Sequence, residues 1–208
     1  MEFKGIKHIE GGQFLHRYDV LYETDDHKEI TYEMASRNPH ITSLEELSSW
    51  GSKTVSIIGI SRDHNRILLN REFRPAVGDW VYNFPSGLID EGETPTQAAK
   101  RELLEETGLH FVKRIVRLAS SFNAIGISNE STSCIIAIVD GEIQGIDSDT
   151  EEIHAAWFNK EEVKELLKTA KMSARVQLFC FLWVYGDLSL NKFYEYQDDF
   201  GPGTGRLK

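Results

Sequence analysis

Apolar and polar positions alternate along the beginning of the chain in the way that is typical of β-strands. Two such stretches lie between about Lys7 and Ser36, and the turn-forming run Asp25-Asp26-His27-Lys28 separates them. A small antiparallel sheet of this kind is marginally stable by itself and needs a partner surface. A connection follows over residues 37–53, with a short helical turn at Leu44-Leu47. We therefore expect an N-terminal antiparallel β module over residues 1–50.

Strands and helices are mixed along the rest of the chain, which favours an α/β or α+β layered fold. Apolar-rich segments predict strands at Thr54-Ile60, Arg66-Phe73, Val112-Ser120, Cys134-Asp140 and Ala155-Phe158. Helical signals predict helices over residues 95–107, 160–169 and 173–185. Residues 51–186 are expected to form this domain, and residues 187–208 a C-terminal tail.

The composition argues against several classes of protein. A formal net charge of −10 opposes nucleic acid binding, because an acidic surface repels phosphates. No apolar run approaches the roughly 20 residues that span a bilayer, and the first residues lack the apolar stretch of a signal peptide. We therefore expect a soluble, cytoplasmic protein without a membrane partner. Cys134 and Cys180 lie among apolar neighbours and are predicted to be buried free thiols.

The strongest local signals of the chain lie between residues 87 and 109. Thr94 and Gln97 match a capping box, Pro95 suits the first helical position, and Gly108 is a C-terminal stop signal. Together they predict a helix over residues 95–107. Arg101 is expected to reach an acidic group such as Glu93 and so hold the preceding loop against the helix.

Three glutamates share one side of this predicted helix. Glu106 lies about 40° and Glu105 about 60° from Glu102 around the helix axis. These carboxylates repel one another and meet the negative end of the helix dipole. A hard divalent cation such as Mg²⁺ would relieve the conflict, since it prefers oxygen ligands. A solvated acidic helix face is the alternative.

The complete segment matches a known family motif residue by residue. The Nudix box reads Gly, five residues, Glu, seven residues, Arg-Glu, an aliphatic residue, any residue, Glu-Glu, any residue, Gly and an aliphatic residue. All of its specified positions agree here, at Gly87, Glu93, Arg101, Glu102, Leu103, Glu105, Glu106, Gly108 and Leu109. The chain therefore resembles Nudix hydrolases, which use water and a divalent metal to cleave the P–O–P bond of nucleoside diphosphates linked to another moiety. The resemblance implies a Nudix α/β/α sandwich with a mixed sheet over residues 51–186, beside the N-terminal β module.

The resemblance also implies a metal centre that holds Mg²⁺, which Mn²⁺ can replace. Its ligands would be Glu102, Glu105, Glu106 and the backbone carbonyl of Ser86, while Glu93 and Arg101 support the shape of the loop and helix. A later acidic loop matches the position from which the family takes a further glutamate, as a metal ligand or general base. Glu151 and Glu152 fit that position, and Glu105 and Glu106 are further candidates for the catalytic carboxylate. A solvated acidic loop is the alternative reading of the later segment.

Other segments resemble ADP-ribose pyrophosphatases and related nucleoside-diphosphate-sugar hydrolases. They are the N-terminal strands, Tyr32–Arg37, Arg71–Pro75 and Phe84–Asp90. This narrower resemblance implies that the N-terminal module helps to build a homodimer. It also implies that Arg37 and Arg74 hold the nucleotide, with a surface salt bridge as the alternative for each. The other expected substrate contacts are Gly87, Gly126 and Glu130.

Two positions depart from that subgroup. Ile125 stands where members that prefer ADP-ribose usually carry proline, and Asn83 stands where Glu is common. The expected substrate is ADP-ribose or an ADP-sugar, which would give AMP and a sugar phosphate. Another nucleotide sugar or diphosphate, or a ligand-binding regulator with the same fold, are the alternatives. Trp50 and Trp80 are candidates for stacking on the base, or for packing.

Overall fold

The computed structural model describes residues 1–49, 53–144, 152–186 and 188. The strands are β1 (Glu2–Gly11), β2 (His16–Glu23), β3 (Glu29–Ser36), β4 (Thr54–Ile60), β5 (Arg66–Arg74), β6 (Asp79–Asn83), β7 (Ser86–Leu88), β8 (His110–Arg117), β9 (Ser121–Phe122), β10 (Ser131–Asp140) and β11 (Ile153–Asn159). The helices are α1 (Leu44–Ser48), α2 (Pro95–Thr107), α3 (Lys160–Thr169) and α4 (Ala174–Tyr185). The contacts divide the chain into two compact units. One is Met1–Lys53 with Ser120–Thr132, and the other is Thr54–Ala119 with Ser133–Lys208.

The first unit contains the predicted antiparallel sheet, with the strands in the order β1-β2-β3. Its small core is formed by Tyr18, Val20, Met34 and Ile41, and the Tyr18 hydroxyl donates to the carbonyl of Asn38 at 2.7 Å. The first strand begins at Glu2, earlier than the apolar pattern predicts. Two register shifts interrupt its pairing with β2, and such bulges break the alternation on which the prediction depends.

Residues 120–132 join this first unit although they follow far along the chain. The short strand β9 pairs with the first two residues of β10. The backbone N–H of Ala35 donates to the carbonyl of Ile127 at 2.8 Å, and Ala35 also forms a parallel bridge with Ser128. The predicted N-terminal module, residues 1–50, does not include this segment. Its contacts with β3 join residues that are far apart along the chain, so local sequence patterns do not indicate them.

The second unit is the α/β/α sandwich that the family resemblance implies. Its mixed sheet has the order β11-β5-β4-β10-β8, with β6 beside β5 and β7 beside β4. On one face, Ala98, Ala99 and Leu103 of α2 pack against Val55 and Ile57. On the other face, α3 and α4 bury the side chains Val163, Val176, Cys180 and Trp183 against β4, β5 and β10. Alternate residues of the central strands therefore fill two separate cores.

The predicted helices of this unit are confirmed, and the buried free thiols are too. Cys134 and Cys180 are both buried and unpaired by disulfide. Burial raises the pKa of both thiols, that of Cys180 to about 12. No helix within the described part of the chain is both long and apolar enough to cross a membrane.

The pattern did not predict the two short strands β6 and β7. Pro85 lies between them, and their few residues give no clear alternation. Both are defined by pairing instead: Asn83 lies opposite Asn70 of β5, and Gly87 lies opposite Val55 of β4. The second pairing places the beginning of the box against the central sheet.

Candidate active site

The helix α2 begins and ends where its sequence signals predict. The Thr94 side chain accepts from the backbone N–H of Gln97, and the Gln97 side chain accepts from the backbone N–H of Thr94 at 2.9 Å. Gly108 closes the helix in the left-handed region, with φ at 74°, and its N–H donates to Leu104. Leu103 is fully buried, so it fixes α2 against the sheet in the part of the helix that carries the three glutamates.

Glu106 is the most deeply placed of the three helix glutamates. Only 7% of it is exposed. Its Oε2 accepts from Asn70 Nδ2 at 2.8 Å and from the backbone N–H of Ser86 at 3.1 Å. Burial of a carboxylate is costly unless hydrogen bonds or charges compensate it, so these donors are needed to keep Glu106 in place.

Glu102 lies directly against the backbone of β7. A Cβ atom added to Gly87 would lie 2.0 Å from the carboxyl carbon of Glu102, so the Glu102 side chain or the backbone of β7 would have to move. Glycine at position 87 therefore leaves the Glu102 carboxylate in the space that a side chain would take. The backbone of Ser86 and Gly87 thus adjoins the carboxylates of both Glu106 and Glu102.

Arg101 connects the acidic loop to the helix, as the sequence predicts. Its Nε and Nη2 donate to the two carboxylate oxygens of Glu93 at 3.1 and 2.9 Å. Nη2 also donates to the carbonyl of Leu88 at 3.0 Å. The hydrogen bond with Glu93 contributes most to raising the pKa of Arg101, and it lowers the pKa of Glu93. Such a bidentate pair fixes both position and orientation.

Arg101 also contacts two of the candidate metal ligands, which the sequence analysis did not anticipate. Its Nη1 donates to Glu102 Oε1 at 2.8 Å and to Glu105 Oε2 at 3.1 Å. The guanidinium therefore offsets the repulsion between these carboxylates. The four-residue spacing to Glu105 is the signal that could have revealed this contact.

The donor set fits a hard divalent cation. No three acidic, histidine or cysteine side chains within the described residues converge closely enough to hold an ion in the present arrangement. Glu102 and Glu105 instead face Arg101, and the side chain of Glu105 is 58% exposed and can rotate. The available ligands are carboxylates and backbone oxygen beside Gly87, whose missing side chain leaves room for them. Mg²⁺ and Mn²⁺ prefer such oxygen ligands.

Arg74 and Glu152 lie where β5 ends and β11 begins. Arg74 Nη2 donates to Glu72 Oε2 at 2.8 Å, and Glu72 itself is only 4% exposed. Glu152 is exposed, and its backbone carbonyl accepts from the N–H of Phe73 at 3.1 Å. Glu151 and Trp50 lie outside the described residues.

Asn70 and Glu72 were missed by the sequence analysis, although polar residues in an apolar strand are a usable signal.

Trp80 packs within a group of side chains from β5, β6 and β11. Its ring stacks on His154 at 5.2 Å and meets Phe73 edge to face at 5.9 Å. The guanidinium of Arg71 lies 4.5 Å from the centre of the same ring. This arrangement agrees with the packing alternative for Trp80.

The remaining candidates lie in the first unit. Arg37 Nε donates to Glu130 Oε1 at 2.6 Å, and Glu130 Oε2 accepts from Asn123 Nδ2 at 2.9 Å. The hydroxyl of Tyr32 donates to the carbonyl of Gly126 at 2.6 Å. Arg37 forms a salt bridge with Glu130, and its contact with a nucleotide stays a prediction. Ile125, the departure from the subgroup, is 80% exposed.

Comparisons with known proteins show which family the chain resembles. The model of the family "NUDIX domain" matches residues 52–178. The mouse protein "ADP-sugar pyrophosphatase" is 30% identical over 105 residues, which cover 50% of this chain and 48% of the mouse protein. The Caenorhabditis elegans protein "Putative nudix hydrolase 2" is 32% identical over 133 residues, which cover 63% and 57%. These two alignments therefore span about half of each relative.

Two further likenesses extend over more of the chain. The Saccharomyces cerevisiae protein "ADP-ribose pyrophosphatase" is 28% identical over 194 residues, which cover 85% of this chain and 80% of the yeast protein. The solved structure "Crystal structure of ADP compounds hydrolase" matches with a TM-score of 0.63 at 16% identity and covers 97% of both chains. That likeness supports the fold. The family model matches more than half of the chain and includes the complete box, so the chain belongs to the Nudix family.

Proposed function

We propose that this protein is a magnesium-dependent pyrophosphohydrolase that acts on a nucleoside diphosphate linked to another moiety. Its substrate would be ADP-ribose or an ADP-sugar, cleaved to AMP and a sugar phosphate, and Mn²⁺ would replace Mg²⁺. Membership of the Nudix family supports the reaction type. Relatives named ADP-ribose pyrophosphatase and ADP-sugar pyrophosphatase support the substrate class.

The observation that carries the proposal is the placement of two glutamate carboxylates of α2, Glu102 and Glu106, against the backbone of β7. Glu106 is buried against the N–H of Ser86, and Glu102 takes the space above Gly87. This grouping opposes stability, because like charges are brought together and partly removed from water. Residues that are retained at such a cost are typical of functional sites.

Several residues would hold the metal and the substrate. Glu102, Glu105, Glu106, Glu151 and the carbonyl of Ser86 would be the metal ligands. When bound, the cation would offset the charge of the diphosphate and lower the pKa of a water molecule. The further substrate contacts that we propose are Arg37, Arg74, Gly87, Gly126 and Glu130.

The chain's own groups would then move the proton and receive the charge. Water attacks one phosphorus atom, and the bond from that phosphorus to the bridging oxygen breaks. A carboxylate accepts the proton of the attacking water, with Glu151 and Glu152 as candidates beside Glu105 and Glu106. Arg74, whose side chain is 47% exposed, would neutralise charge on the departing phosphate.

We also propose that the protein is a cytoplasmic homodimer to which the N-terminal module contributes. That module carries large apolar side chains that are 39% to 65% exposed, namely Phe14, Leu15, Leu21, Ile30 and Tyr32. Exposed apolar groups of this kind are typical of protein–protein interfaces. The molar mass measured by light scattering should be twice that of the chain, and a monomer at micromolar concentration would contradict the dimer.

The reaction is tested by a product screen over ADP-ribose, other nucleotide sugars, dinucleoside polyphosphates and CoA. We expect Mg²⁺-dependent release of AMP from ADP-ribose or an ADP-sugar, identified by chromatography of the products. Omission of the divalent metal is the control and should abolish turnover. Binding of a nucleotide without turnover of any of these compounds would instead favour a ligand-binding regulator.

A further inference from the structure

The strand β5 carries a row of polar side chains that leads away from Glu106. Asn70, Glu72 and Arg74 occupy alternate positions, so they share one face of the strand. Leu68 continues the same face inwards and packs in the core beneath α2. Asn70 and Glu72 are 1% and 4% exposed. The face that is apolar beneath α2 therefore becomes polar where the strand passes the candidate metal ligands.

Two acceptor atoms in this row have no hydrogen-bond partner among the described residues. They are Asn70 Oδ1 and Glu72 Oε1, and both are buried. Native proteins rarely leave such atoms unsatisfied, because the missing hydrogen bond is costly and costlier still for a charged group. Two of them at alternate positions on one face point to a donor that is not among the described residues.

The orientation of Asn70 follows from its partner. A carboxylate only accepts hydrogen bonds, so the amide nitrogen of Asn70 must face Glu106, as it does at 2.8 Å. The amide oxygen then has no role in holding Glu106. The two carboxylate oxygens of Glu72 differ in the same way. Oε2 accepts from Arg74, whereas Oε1 has no donor among the described residues.

The negative charges near this row of side chains on β5 restrict the kind of ligand that can bind there. Glu72 and Glu106 are both carboxylates, and an anionic phosphate group would be repelled by them. The water molecules around a divalent cation are strong donors, and Mg²⁺ keeps several of them when it binds to proteins. We propose that Asn70 and Glu72 accept hydrogen bonds from the water ligands of the divalent cation, an inference that rests on the metal-dependent function proposed above.

Glu72 and Asn70 are thus positioning residues that orient the hydrated cation beside the ligands of α2. Outer partners of this kind typically change metal affinity by about 10-fold to 100-fold when they are removed. A different role would be purely structural, with Glu72 acting only to hold Arg74. The two roles differ in whether metal binding without substrate depends on Glu72.

Mn²⁺ binding to the full chain without nucleotide tests the proposal, with free Mn²⁺ measured by its electron paramagnetic resonance signal. Glu72→Gln keeps the shape of the side chain and should weaken Mn²⁺ binding by about 10-fold or more. Glu165→Gln removes the same charge from an exposed position of α3 and should change binding less than about two-fold. Arg74→Gln leaves the Glu72 carboxylate in place and should not weaken binding.

The outcomes separate this proposal from the proposed function. Glu106→Gln should abolish high-affinity Mn²⁺ binding. If it does so while Glu72→Gln binds Mn²⁺ as tightly as the unmodified chain, the proposed role of Glu72 is overturned. The proposed metal centre is then still supported. Unchanged binding in Glu106→Gln would overturn both. Cooperative thermal unfolding checks that each variant is folded. If Glu72→Gln fails to fold, Glu72→Asp replaces it, with the same expected loss because its oxygen is withdrawn by one methylene.

Discussion

Each unit contains an ion pair between an arginine and a glutamate, and the two pairs differ in how far apart their residues lie along the chain. Arg101 reaches Glu93 across eight residues of chain and binds it through two parallel hydrogen bonds. Arg37 reaches Glu130 across 93 residues and binds it through one. The first contact lies within one loop and helix, whereas the second needs two distant segments to meet. A short motif can therefore specify the first contact, and only folding of the unit can produce the second.

The largest expected effect comes from the local site. Glu106→Gln removes the charge of a buried candidate ligand and leaves its shape nearly unchanged. We expect the turnover number with Mg²⁺ to fall by more than about 100-fold, because loss of a direct ligand should exceed the effect of losing an outer partner. Steady-state kinetics measures the loss, and circular dichroism should show an unchanged fold. Turnover like that of the unmodified enzyme would contradict the assignment of Glu106.

Gly87→Ala should have the next largest effect. The added methyl group would meet the Glu102 carboxylate at 2.0 Å, so that Glu102 or β7 must move. We expect a stability loss of about 1–3 kcal/mol, which is typical of an overpacked site. Activity should fall with it, because Glu102 is displaced. Thermal unfolding and kinetics measure both effects.

Gly5→Ala is the matched control for this substitution. A Cβ atom at position 5 meets nothing within 4 Å, so neither stability nor activity should change appreciably. An equal loss in both variants would mean that the space above residue 87 is not the cause.

Substitution of each arginine by lysine tests the comparison directly. Arg101→Lys cannot keep the bidentate bond to Glu93 together with the contacts to Glu102 and Glu105. Arg37→Lys changes one exposed pair, and such pairs are worth about 0–1 kcal/mol. We expect Arg101→Lys to lower the free energy of unfolding more than Arg37→Lys does, as urea denaturation would measure. Equal losses would contradict the idea that the local network is the stronger of the two.

The smallest effect should appear in the pH dependence of stability. The hydrogen bond from Arg101 lowers the pKa of Glu93 in the folded protein. Glu93 therefore stabilises the fold above the ordinary glutamate pKa of about 4.3, and this contribution is lost as the pH falls through the lower folded value. Glu93→Gln should be less stable than the unmodified chain at pH 7, and the difference should shrink in acid. A constant difference in melting temperature from pH 7 to pH 3 would exclude this linkage.

Much of the second unit follows from its sequence. The capping residues Thr94 and Gln97 and the stop at Gly108 define α2, and the same segment offers Glu93 as an acidic partner for Arg101. These features depend on neighbours within a few residues, so their energetics are contained in a short segment. The sandwich with a mixed sheet could be inferred only through the family resemblance, and the order of its strands comes from the structure.

The sequence by itself therefore determined the acidic helix, its family and the reaction class that we propose. Only the tertiary structure decided that residues 120–132 join the N-terminal sheet, and that Asn70 and Glu72 lie buried on one face of β5 where Asn70 donates to Glu106. Both depend on strand pairing or burial between segments that are distant along the chain. The spacing of residues along the chain does not predict such contacts, because they form only when the hydrophobic core brings the segments together.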